Sequence, residues 1–115
     1  MTQDSSGFLK VSESGYIADF VEGLPPKEQR VLAATQEPTS PASLGGTVTE
    51  AAWKQKPSWY VITDTDRAVA TALQTTMASR AKASTYRVPS CHVVMLSHPA
   101  EVSTVITLAA LGIKW

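Results

Sequence analysis

The chain has 115 residues, room for at most one compact domain, and its 43% hydrophobic content is compatible with a globular core. Ten basic residues balance ten acidic ones and no run of like charge breaks the balance, so nothing steers the chain toward nucleic acid or anionic lipid. A single cysteine excludes an internal disulfide and suits a reducing compartment.

The first residues, MTQDSSGFLK, show no basic region followed by an apolar run, and no uninterrupted apolar segment approaches about 18 residues. Neither a signal peptide nor a transmembrane helix is expected, and the cytoplasm is the expected location. Residues 14–24, SGYIADFVEGL, set Ile17, Phe20, Val21 and Leu24 on one face of an amphipathic helix, with Ser12 or Ser14 as its cap. Pro25-Pro26 breaks that helix and starts another, KEQRVLAATQ. EPTSPASLGG reads as a loop. TVTEAAWK reads as a short helix, capped by Thr47 or Thr49, with Trp53 on its apolar side.

The pattern changes at Pro57. SWYVIT (58–63) is short, β-branched and aromatic, which predicts a buried strand ended by the polar DTDR. AVATALQTTMASR predicts a helix with Val69, Leu73 and Met77 on its apolar face. STYRV (84–88) predicts a second strand, stopped by Pro89. PAEVSTVITLAALG predicts a last helix with Val102, Val105, Ile106 and Ala109 inward, Pro99 at its start and Gly112 just past its end. Strand, helix, strand of this length makes a parallel pair joined by a crossover, so the fold class is α/β.

Neighbouring parallel strands lie about 5 Å apart and end on the same side of the sheet, where α/β folds expose working groups. Asp64 and Asp66 follow the first strand and His92 the second. A carboxylate there can accept a hydrogen bond from one ring nitrogen of His92, leaving the other as a base, which is the acid–histidine half of a nucleophilic triad. The same aspartates could instead cap the next helix. Cys91 makes a poor dyad with His92, because adjacent side chains of an extended segment point to opposite faces. His98, beside Pro99, reads as a cap or packing residue. Two histidines six residues apart without a second cysteine give no metal-site spacing, and no cofactor is expected.

KPSWYVITDTDRAV followed by VPSCHVVMLSHPAEVSTVI resembles the C-terminal part of bacterial, esterase-like α/β-hydrolases that carry a lid. GFLKVSESGYIADFVEGLPPKEQRVLAATQEP and VTEAAWKQKPSWY resemble the helical lid that precedes their acid strand. The resemblance implies a partial α/β-hydrolase fold: residues 1–56 as a lid-like segment, and residues 57–115 as the last strand–helix–strand–helix unit. It implies Asp66 as the acid and His92 as the catalytic base of an ester or acyl hydrolase. Such enzymes hold their serine in a Gly-x-Ser-x-Gly elbow upstream of the lid. None occurs here, and the serines before Asp66 sit in DSSG, SESG, PTSPAS and PSW. The isolated chain is therefore expected to be inactive, because His92 has no hydroxyl to activate. The alternatives are a non-catalytic interaction module, or one subunit of a two-chain hydrolase whose partner supplies the serine. Unpaired strand and helix faces lead to the expectation of a homo-oligomer, or of a complementing N-terminal hydrolase half, with Trp53, Trp59 and Tyr60 near the contact.

Overall fold

The computed structural model describes residues 1–114. It opens with an antiparallel hairpin that the sequence does not announce, Thr2–Gln3 (β1) against Leu9–Lys10 (β2). Strands of two residues are too short for alternation to register. Their turn is local chemistry: Asp4 Oδ1 accepts from the Ser6 and Phe8 N–H groups at 2.9 Å each, and Gly7 takes a φ of 85°.

The first helix, Glu13–Asp19 (α1), is capped by Ser12, whose Oγ accepts from Gly15 N. It stops well short of the expected Leu24. The chain turns over instead, with Leu24 N–H donating to Val21 O at 3.0 Å, and Val21 and Leu24 are buried from that turn. Pro26–Ala34 (α2) begins at a proline, as the missing N–H allows. Residues 37–46, expected as loop, contain a short exposed helix, Pro41–Gly45 (α3). TVTEAAWK forms only a 3-10 turn, Ala52–Lys54, with no threonine cap and with Trp53 exposed. Eight residues with little to pack against cannot offset the cost of nucleating a helix.

Trp59–Thr63 (β3) and Ser84–Val88 (β4) pair in parallel, with Trp59 opposite Ser84 and Thr63 opposite Val88. Between them runs Thr71–Arg80 (α4), and after them Val94–Ser97 (α5) and Pro99–Ala110 (α6). The chain is α/β: a parallel two-stranded sheet with flanking helices, preceded by a hairpin and short helices. Gly112, at φ 69°, ends α6. Two expected helix faces are corrected. On α4, Leu73 and Met77 are exposed while Gln74 and Ala78 are buried, and Val69 precedes the helix. On α6, Val105 is buried and Ile106 exposed.

Ser58 O and Asp64 N–H both bond toward β4, so the backbone groups of Trp59 and Val61 face away from it. Among the described residues no strand pairs on that side. The accessible surface is 7722 Å², against about 6100 Å² for a compact chain of this mass. No helix among the described residues is long and apolar enough to cross a membrane.

Candidate functional site

The parallel ladder continues beyond the strand ends. Asp64 N–H donates to Val88 O at 3.0 Å and Thr65 N–H to Ser90 O at 3.2 Å, which zips the acid loop to the histidine loop. The two loops thus bring Asp66 and His92 together across 26 residues of chain, with Asp66 Oδ2 3.0 Å from His92 Nδ1. A carboxylate can only accept, so Nδ1 carries the proton and Nε2 is left as the free lone pair.

Asp66 is 3% exposed at its side chain and His92 36%. Five donors converge on the carboxylate. Oδ1 accepts from the Ala68 and Val69 N–H groups at 2.9 and 2.8 Å; Oδ2 accepts from the Thr63 hydroxyl, the Gln74 amide and the His92 ring. Burial by itself pushes the Asp66 carboxyl up. The Val69 N–H, the His92 ring and the Thr63 hydroxyl outweigh it and hold the carboxyl below its ordinary value. Burial likewise pushes the Tyr60 phenol up, and the negative charge of Asp66 adds to that. The α4 cap position is Ala70, without a side-chain cap bond, so neither aspartate caps that helix. Asp66 instead closes its own turn with one oxygen and holds His92 with the other. Asp64 is turned away and paired with Arg87.

Gln74 is the residue that sequence reasoning missed. Its amide donates to Asp66 Oδ2 at 2.9 Å and to Val69 O at 2.8 Å, and its Oε1 accepts from Thr63 N–H at 3.0 Å. This explains why α4 turns a glutamine inward: the acid turn needs its donors, and the buried amide is fully bonded. Nothing in the apolar spacing of the helix could have flagged it.

The histidine loop is closed from the other side. Ser90 Oγ and Ser97 Oγ lie 2.6 Å apart, and Ser97 Oγ is 3.0 Å from His98 Nδ1. His98 stands at the N-cap of α6 without a side-chain cap bond; its ring engages Ser97 rather than the helix N–H groups. Cys91 is buried away from the histidine, against Gly23, where a Cβ would sit 3.2 Å from its Sγ. Among the described residues Asp66 is the one hydrogen-bond partner of His92, and no three His, Cys, Asp or Glu side chains gather as a metal site. A cleft of about 290 Å³ opens on Asp66, His92 and Gln74, walled by Tyr60, Val61 and Val94. A larger hollow of about 630 Å³, against Trp53, Trp59 and Met77, holds neither member of the pair.

A strand, a buried acid, a helix, a second strand and a histidine bonded to that acid form an ordered series, and the alpha/beta hydrolase family matches the sequence over residues 4–105. The chain belongs to the alpha/beta hydrolase family. The match takes in β3, the acid turn, β4, the histidine loop and most of α6, and it reaches back through the N-terminal helices. No curated protein and no solved structure matches the chain.

Proposed function

We propose that this alpha/beta hydrolase chain carries the acid and the base of a Ser-His-Asp ester or acyl hydrolase triad. Residues 57–115 would form the catalytic unit, and residues 1–56 a lid over it. The observation that supports the reading best is the 3.0 Å Asp66–His92 hydrogen bond, made to a carboxylate that is 3% exposed and saturated with donors. In that role His92 Nε2 accepts the proton of a nucleophilic hydroxyl as the hydroxyl attacks the acyl carbon. Asp66 steadies the imidazolium, and the proton then passes to the leaving alkoxide.

The sequence contains no Gly-x-Ser-x-Gly elbow, and Asp66 is the described partner of His92, so the base has no hydroxyl to activate. The chain alone is therefore inactive, as half of an esterase-like site. A non-catalytic module, or a two-chain enzyme completed by a partner's serine, is the second reading; the uncovered side of β3 and the roughly 1600 Å² of surface beyond that of a compact chain favour a partner. That excess is about twice the roughly 800 Å² that each partner contributes to a standard protein interface. The test is hydrolysis of p-nitrophenyl acetate by the purified chain, which is expected not to exceed that of free imidazole. Turnover well above it, and abolished by His92→Ala, would show that the chain has its own nucleophile.

A further inference from the structure

The segment that leaves α1 touches both loops of the site. Asp19 Oδ1 pairs with Arg67 Nε at 3.1 Å, one residue beyond Asp66. The Phe20 ring meets the His92 ring at 5.1 Å between centroids and 80° between planes. Gly23 lies against Cys91, so close that a side chain there would press on the sulfur. Val21 and Leu24, 0% and 7% exposed, anchor the segment, and Tyr16 stacks behind Phe20 at 5.2 Å and 2°. Three consecutive contacts from five residues thus fall on the acid loop, the histidine ring and the histidine loop.

We infer that residues 19–23 clamp the site, and that Phe20 is a positioning residue for His92. The inference rests on the catalytic reading of the Asp66–His92 pair. An imidazole held by one hydrogen bond at Nδ1 can still pivot about it. At 36% exposure no packed wall encloses the His92 ring, and the ring of Phe20 supplies the second restraint. Edge-to-face geometry is the arrangement aromatic pairs prefer, and its worth corresponds to a factor of about two to ten in the population of one ring orientation. Tyr16 keeps Phe20 from swinging away, and the Asp19–Arg67 pair ties the same turn to the acid loop. The N-terminal region thereby reports on the base: displacing α1 frees the His92 ring and unties Arg67, while none of the five donors on the Asp66 carboxylate comes from α1.

The full 115-residue chain with ¹⁵N-labelled histidine tests this. It has two histidines, so His98→Asn leaves the His92 resonances alone. The wild-type ring should show a downfield Nδ1 proton that exchanges slowly and disappears in Asp66→Asn. Phe20→Leu should speed its exchange by about twofold to tenfold, the range an edge-to-face contact allows, with far-UV circular dichroism unchanged; Phe20→Tyr should restore the slow rate. Asp19→Asn, at a half-exposed site that threatens no packing, should speed it by a smaller factor. Slow exchange unaltered in both Phe20→Leu and Asp19→Asn would overturn the clamp and leave the acid–base pair standing. A wild-type chain with no such proton would overturn the pair and the clamp together.

Discussion

The two parts of the chain, before and after residue 57, are built on different principles. Of the eight buried hydrophobic side chains among the described residues, Val21 and Leu24 belong to the first part; Ile62, Ala78, Val88, Cys91, Val94 and Val105 belong to the second. None of α1, α2 and α3 contains a buried residue. Beyond Val21 and Leu24, what ties the first part together is polar: the Gln36 amide brackets the Val11 backbone at 2.8 and 3.0 Å, and the Gln29 amide donates to Glu22 O and Leu24 O. The second part has a ladder, a crossover helix and a bonded polar network under it. Helical periodicity without burial means that the faces of the first part are covered by something else or by nothing, and this separates a region that folds on itself from one that depends on its contacts.

Assembly is the largest effect by which the contrast can be broken. If the uncovered β3 edge and the exposed apolar residues of the first part seek partners, light scattering at micromolar concentration should give a mass of two chains or more. A folded, monodisperse monomer would mean that both parts are complete as they stand. Next comes the core. Ile62→Ala, at a side chain 2% exposed, should cost about 2–5 kcal/mol in urea unfolding. Leu32→Ala, at a half-buried side chain of the mostly exposed α2, should cost well under half as much; equal losses would place both parts in one shared core.

The smallest effect concerns the acid. Asp66→Asn sets an amide N–H₂ among five donors and should cost about 1–3 kcal/mol at neutral pH. The wild-type carboxyl lies below its ordinary value when folded, so the unfolded chain binds its proton first as pH falls. Its contribution is fully present above the ordinary carboxylate value of about 3.9 and is lost as pH drops through the lower folded one. The urea midpoint of the wild type should therefore fall more steeply below about pH 4 than that of Asp66→Asn, which has no proton to gain there. Parallel curves would show that the network around Asp66 does not favour the ionised carboxyl over the protonated one.

β3, α4, β4 and α6 were legible in outline because local propensity agrees with the final state there: β-branched and aromatic residues in β3 and β4, helix formers in α4 and α6, with proline, glycine or charged residues near their borders. The meeting of Asp66 with His92 was legible for a topological reason: parallel neighbours deliver their following loops to the same edge. Which aspartate faces the histidine was open from spacing alone, since Asp64 and Asp66 stand two residues apart in a polar turn, and only the family resemblance pointed to Asp66. The tertiary structure decided it by giving Asp66 the Thr63 hydroxyl and the Gln74 amide, and Asp64 the exposed Arg87. Gln74 inside α4, the early end of α1 at Asp19 and the Phe20 ring against His92 were invisible for the same reason. Periodicity records which residues avoid water; a buried amide and a ring held edge to face are chosen by partners distant in sequence, and those partners exist only once the two strands have paired.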